Sequence, residues 1–262
     1  MSMTTPTPDR LVINEIYASL QGESTWAGLP CIFVRLTGCN LRCSYCDTAY
    51  AFKEGEPMGL QAVLAEVDRL AEPWLAPGPG GSTGIGIAGV PAGRLPLVEL
   101  TGGEPLLQSA SLGLMRTLCD RGYTVLLETS GALDISGVDA RVKRIVDLKC
   151  PSSGESGRNR WENLGQLKAG DELKFVVTTW EDYAWAKGMI QEHALIERCA
   201  VLMSWASPLT SEQRVASLKV VPAGHRLISR RELAEAIVAD RVPIRFQVQM
   251  HKVIWAPDER GV

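Results

Sequence analysis

The chain has no apolar run of ~18 residues, so nothing in it reads as a membrane span. It has no basic excess either. There are 27 Lys and Arg against 30 Asp and Glu, a net charge of −3, so it lacks a general footprint for nucleic acid. Residues 1–10 are rich in Thr and Pro without an apolar core and do not read as a signal peptide. Seven cysteines, an odd number and unevenly spread, argue against a disulfide framework and point to a reducing, cytoplasmic setting. No internal repeat and no inter-domain linker is visible. What is present is ordinary globular composition, 45% apolar and 22% charged, in 262 residues. That length suits a single domain, 1–262, of the size α/β barrels reach.

The informative segment is Cys39-Asn40-Leu41-Arg42-Cys43-Ser44-Tyr45-Cys46, three cysteines spaced C-x3-C-x2-C with no fourth cysteine or histidine close by. Closed thiolate sites use four protein ligands, for zinc or for an iron–sulfur cluster. Three thiolates on a 4Fe-4S cluster leave one iron open to a ligand that is not protein. The spacing resembles the signature of the radical SAM superfamily, in which S-adenosylmethionine (SAM) chelates that iron. Three readings compete. Free cysteines commonly pack in cores, but polar Asn40, Arg42 and Ser44 separate these. A zinc site needs a fourth ligand, and Cys31, at the start of a strand, lies roughly 20 Å from that strand's end. An electron-transfer ferredoxin also wants four thiolates and needs far less chain.

Apolar, β-branched runs at 11–19, 31–37, 97–100, 123–128, 144–148, 172–178, 199–203 and 244–249 predict strands. Leu60, Val63, Leu64, Val67 and Leu70 recur at helical spacing, as do Leu112, Met115 and Leu118, and Leu233, Ile237 and Val238. Alternation of the two predicts an α/β fold with a mostly parallel sheet, a partial (β/α) barrel with ligands at the carboxyl ends of its strands. The cysteine loop, Thr101-Gly102-Gly103-Glu104-Pro105, Thr129-Ser130-Gly131, Lys149-Cys150-Pro151-Ser152 and Ser204-Trp205 all follow strands, which gathers them at one rim. Residues 73–93, loaded with Gly and Pro, read as an irregular, flexible insertion, and 152–160 as a second flexible segment.

Other signals are weaker singly. The Gly102-Gly103 pair is either an ordinary strand-to-helix turn or a place where backbone meets a ligand. Arg35 shares a strand face with Phe33 and Thr37. It reads as a surface ion pair or as an inward fork for a carboxylate or planar heterocycle. A hydroxyl such as Thr48, after Cys46-Asp47, can ligate magnesium, though a lone Thr is usually structural. Leu20-Gln21-Gly22-Glu23 is a polar turn or a reader of a heterocycle edge. His251-Lys252 is structural or an acid contact.

Together these residues resemble one family closely: the 7-carboxy-7-deazaguanine synthases, radical SAM enzymes of the queuosine (7-deazapurine) pathway. The matching stretches are residues 15–23, 33–43, 46–48, 101–105, 128–131, 172–174 and 249–252. The resemblance implies a substrate like 6-carboxy-5,6,7,8-tetrahydropterin. It implies a radical made from SAM at the reduced cluster, ring contraction, loss of ammonia and regeneration of SAM. It assigns Cys39, Cys43 and Cys46 to the 4Fe-4S cluster and Thr48 to Mg2+. Tyr45, Cys46, Asp47, Gly103, Ser130, Cys150, Pro151, Ser152 and Ser204 are assigned to SAM. Leu20, Gln21, Gly22, Arg35, Thr101 and Glu128 are assigned to the pterin substrate. It further implies a homodimer and an external electron donor such as flavodoxin or ferredoxin, with no direct contact to nucleic acid or membrane. Some relatives end near the position of Pro257, whereas residues 258–262 follow here. Two alternatives remain open at this point: an activating enzyme for a glycyl-radical protein, and a non-catalytic zinc-binding protein.

Overall fold

The computed structural model describes residues 9–75 and 95–262. Among the described residues nine strands form one sheet: β1 Arg10–Leu20, β2 Pro30–Leu36, β3 Glu56–Gly59, β4 Leu97–Gly102, β5 Val125–Thr129, β6 Lys143–Asp147, β7 Glu172–Val177, β8 Ala200–Trp205 and β9 Arg245–Gln247. Five helices accompany them: α1 Leu60–Leu75, α2 Ala110–Asp120, α3 Trp180–Glu192, α4 Arg230–Ala239 and α5 His251–Ile254. The sheet order is β3-β1-β2-β4-β5-β6-β7-β8-β9. From β2 to β9 every pairing is parallel; only β1 and β3 run antiparallel to their neighbours. This is the partial barrel that the alternation of runs predicts.

Strand alternation divides the core in two. Ile32, Val34, Val98, Leu100 and Leu127 point outward and pack against the stripes Val63, Leu64 and Val67 of α1 and Leu114, Met115 and Leu118 of α2. A second outer core joins Leu173, Phe175, Val201 and Met203 to Tyr183, Ala186 and Ile190 of α3 and Leu233 and Ile237 of α4. The intervening residues point inward. Cys31, Phe33, Leu97, Leu126 and Ile145, with Trp26 from the β1–β2 loop, form a small apolar plug inside the curve of the sheet. Farther along the same strands the inward face turns polar, and there the site begins.

Four features depart from the sequence reading. β3, Glu-Pro-Met-Gly, is a poor strand sequence; pairing with the edge of β1 makes it one, and an edge tolerates Pro57. α3 carries the capping box Thr179–Asp182, a legible start signal that apolar periodicity passes over. α1 runs through Pro73 to Leu75, so the first residues of the expected insertion are helical; the rest of 73–93 lies outside the described residues. Residues 152–160 are not a loose segment. Ser152, Ser153, Glu155 and Asn159 are buried, and the backbone is wound into short 3-10 turns.

Candidate active site

The cysteine loop leaves β2 through Gly38 at φ +96° and is pinned from three sides. Leu41 is buried beneath it. The Gly38 amide donates to Ala51 O at 2.8 Å, and Gly38 O accepts from the Glu104 amide at 2.8 Å. The Arg42 guanidinium donates to Cys39 O and Leu41 O and lies over the Phe52 ring. Residues 152–155 clamp the far side. Ser152 O accepts from the Ser44 hydroxyl at 2.7 Å, Ser153 O from the Ser44 amide at 3.1 Å, and Glu155 Oε1 from the Arg42 amide at 2.7 Å.

That clamp involves three of the residues expected to meet SAM. Cys150, Pro151 and Ser152 do not line the central cavity. Cys150 and Ser152 are fully buried, and both the amide and the hydroxyl of Ser152 donate to the Asp182 carboxylate. They shape the cysteine loop from behind.

Cys39, Cys43 and Cys46 line a cavity of about 700 Å³ at the carboxyl ends of the strands, the place parallel sheets bind ligands. Burial pushes the Cys43 thiol up to about 11 and Cys46 to about 12. Such buried sulfurs ionise only against nearby positive charge, which coordinated iron provides. The Leu41 amide donates to Cys39 Sγ at 3.4 Å. Among the described residues no three His, Cys, Asp or Glu side chains converge on a single metal ion. A cluster does not require that, because it places each thiolate on a different iron. The donor set therefore fits a 4Fe-4S cluster held by three thiolates. The Tyr45 hydroxyl beside them is buried without a hydrogen-bond partner among the described residues, an orphan that a polar ligand would satisfy.

The Gly-Gly turn presses directly on this loop. A Cβ at Gly102, φ +127°, would sit 2.3 Å from Leu36 O, and one at Gly103 would sit 2.0 Å from Gly38 O. Glu104, fully buried, accepts from the Ser130 amide at 2.8 Å, the Ser130 hydroxyl at 2.6 Å and the Thr129 hydroxyl at 2.9 Å. The turn thus joins the ends of β2, β4 and β5. Ser130 lines the cavity, but its hydroxyl hydrogen is committed to Glu104.

The remaining expected residues meet on the cavity wall: Leu20, Gln21, Gly22, Arg35, Thr101, Glu128 and Ser204 all line it, with Asp47, Thr48 and Gly103. Arg35 is ion-paired through Nε to Glu15 at 2.6 Å and donates through Nη2 to the Tyr17 hydroxyl at 2.8 Å, so much of its fork is held within the sheet. The Thr48 hydroxyl donates to Asp47 Oδ1 at 2.8 Å. Burial pushes the Asp47 carboxyl up, but the Lys252 ammonium and hydrogen bonds from Lys252, Thr48 and Gln249 outweigh it and hold the group well below the usual carboxylate range. Lys252 is therefore an acid contact within the chain.

Sequence reasoning reached Glu23 and Glu128 but missed what joins them into a charged floor. Lys174 in β7 contacts Glu128 Oε1 at 2.5 Å and Glu23 Oε2 at 3.0 Å, and Glu99 in β4 accepts from the Gln21 amide. Burial lifts Glu128 to about 7 against the pull of Lys174. Asp147 and Lys149 form a further buried pair on the wall. The signal was a charged residue at alternate positions in otherwise apolar strands. It also missed the cover, where Glu212, Gln213, Val215 and Ser217 line the cavity with residues 257–262. Gln213 Nε2 donates to Pro257 O at 2.9 Å, and Arg260 pairs with Glu54 and lies over the Tyr50 ring.

No protein-family model matches the chain. Curated relatives do. It is 41% identical to the 7-carboxy-7-deazaguanine synthase of Koribacter versatilis over 95% of this chain and 99% of that one. The chain belongs to the 7-carboxy-7-deazaguanine synthase family. The synthase of Chlorobaculum tepidum is 39% identical over 99% of this chain and all of that one. Among solved structures, QueE from Escherichia coli superposes with a TM-score of 0.63 at 20% identity, covering 92% of this chain and 95% of that one. SuiB of Streptococcus suis, bound to precursor peptide SuiA, superposes at 0.53 and 13% identity over 82% of this chain and 47% of that one. At those identities the two structures speak for the fold, a radical SAM-type partial barrel. As a family member the chain is a radical SAM enzyme. No helix among the described residues is long and apolar enough to cross a membrane.

Proposed function

We propose that the chain converts 6-carboxy-5,6,7,8-tetrahydropterin to 7-carboxy-7-deazaguanine with release of ammonia, a carbon–nitrogen lyase step of queuosine (7-deazapurine) biosynthesis. The observation that carries this is the near-full-length identity to curated 7-carboxy-7-deazaguanine synthases, in a chain whose three free thiols open onto a polar cavity. A 4Fe-4S cluster and SAM, when bound, supply radical initiation there.

The chain's own residues do the rest. Cys39, Cys43 and Cys46 would hold the cluster. Tyr45, Gly103, Ser130 and Ser204 surround the space left for SAM, and Glu104 fixes the backbone that carries Gly103 and Ser130. Arg35, Thr101 and the Gln21-Gly22 turn form the substrate wall, with Glu128 placed to accept from the N–H groups of an amino-pyrimidine edge. Thr48, its hydroxyl beside Asp47, is the Mg2+ ligand in this reading; a hard cation with oxygen ligands would also meet the substrate carboxylate. The reading includes a cytoplasmic homodimer served by flavodoxin or ferredoxin.

The test is an anaerobic incubation of the reconstituted protein with the carboxylated tetrahydropterin, SAM and reductant. Formation of 7-carboxy-7-deazaguanine with an equivalent of ammonia is expected. Cleavage of SAM without deazapurine would sink the proposal.

A further inference from the structure

The cavity floor holds three carboxyls, Glu23, Glu99 and Glu128, around one ammonium, Lys174. Lys174 contacts Glu23 and Glu128. Glu99 has a different partner. It lies two residues beyond Leu97 on the inward face of β4, paired in register with Phe33, at the top of the apolar plug. It is 4% exposed. Its Oε2 accepts from the side-chain NH2 of Gln21. That amide cannot turn over, because Gln21 Oε1 already accepts from the Glu23 backbone N–H at 2.8 Å.

A buried carboxylate whose hydrogen-bond partner is a neutral amide is costly, and such a group takes up a proton instead. Burial and then the nearby Glu128 charge push the Glu99 carboxyl well up, while Lys174 and Arg35 pull in the opposite sense. With Oε2 occupied by Gln21, the proton belongs on Oε1, the oxygen left for a molecule in the cavity.

We propose that Glu99 is a specificity-determining residue, presenting a neutral carboxyl O–H to an acceptor on the edge of an amino-oxo pyrimidine, beside Glu128, which accepts from the N–H groups of that edge. This rests on the function proposed above and adds to it a second reader of the heterocycle. The chemistry is complementary. A 2-amino-4-oxo ring presents acceptors next to donors, and a floor of ionised carboxylates alone would repel the acceptors. A site built to hydrogen-bond a substrate group loses strongly when one partner is removed, because the other is left unpaired.

Steady-state KM for the carboxylated tetrahydropterin tests this in three proteins. Glu99→Leu keeps the volume and removes the donor; KM rises by about tenfold or more. Glu99→Gln keeps an acceptor for Gln21 and turns its NH2 to the cavity; it recovers most of that loss. Cluster absorbance and the unfolding midpoint check that each variant is loaded and folded. Should Glu99→Leu fail to load, Glu99→Asp, which withdraws the carboxyl by one methylene, carries the same test. A KM for Glu99→Leu within twofold of wild type overturns the inference. Loss in Glu99→Gln equal to that in Glu99→Leu, at matched stability, overturns the neutral donor and makes Glu99 an acceptor. Wild-type protein that is inert toward the pterin overturns the functional reading itself, and this inference with it.

Discussion

Lys252, one residue into α5, donates its ammonium to Asp47 Oδ2 and so ties the end of the chain's last helix to the residue after Cys46. Both side chains are largely buried, and Gln249 adds a second bond to the same oxygen. The pair locks the loop that carries the cluster cysteines to the far end of the sheet.

Lys252→Met strands the Asp47 carboxylate. Removing one partner of a buried pair costs about 3 kcal/mol, which chemical denaturation at neutral pH reads directly. Asp47→Asn added to Lys252→Met should return part of the loss. The pH dependence follows by sign. The folded carboxyl lies below its unfolded value of about 4. Its contribution is therefore complete above pH ~4 and lost as pH falls through the folded value. The gap between wild type and Lys252→Met should narrow as pH falls, because the stranded Asp47 of the variant, no longer held down by Lys252, takes up its proton first.

Ala in place of Cys39, Cys43 or Cys46 should each abolish iron binding. Cys31→Ala and Cys150→Ala should retain it, since neither thiol lines the cavity. Iron and sulfide content after anaerobic reconstitution decides this; equal losses at Cys31 would break the ligand assignment.

Gly103→Ala should displace the cysteine loop, because the added methyl meets backbone at Gly38 rather than a side chain that can move. Overpacking of this kind costs about 1–3 kcal/mol. Cluster loading and SAM affinity should both fall, while Gly188→Ala, with open space around it on α3, leaves them unchanged.

Glu104→Gln exchanges an acceptor for a donor facing the Ser130 amide. An unsatisfied buried group costs about 1–3 kcal/mol, visible as an earlier unfolding midpoint. SAM affinity should weaken with it, because the ends of β4 and β5 separate. Ser130→Ala, which leaves the amide bond in place, should cost less.

Magnesium should stimulate turnover, and Thr48→Ala should blunt that response. An unchanged magnesium titration curve in the variant would remove Thr48 from the metal site.

The parallel sheet and its active rim were legible because buried parallel strands read as apolar runs and the chemical motifs all sit at their ends. The cysteine loop was legible because its spacing is chemistry, independent of packing. The fixed conformation around Ser152 was not legible for a physical reason. Its sequence context, Pro-Ser-Ser-Gly, looks solvent-exposed, and only the buried Asp182 carboxylate thirty residues on explains why it is not. Lys174 and Glu99 were passed over because a charge in an apolar strand says nothing about which face it takes until the partner strands are known. β3 could not be read at all, since its pairing with β1 creates it.

The β1–β2 loop has a consequence for how the molecule comes into being on the ribosome. Gly22 O accepts from the Met250 amide, Ser24 O from Gln247, and Glu23 from Gln249, a partner 226 residues later. This wall of the cavity is thus made by joining residues 22–24 to residues 247–250. Loop closure of that length carries an entropic cost that local contacts cannot offset early. During synthesis the sheet can grow strand by strand outward from β2, but its inner chamber stays open until residues 247–250 emerge. A nascent chain long enough to hold all three cluster cysteines still lacks the wall that would confine a radical.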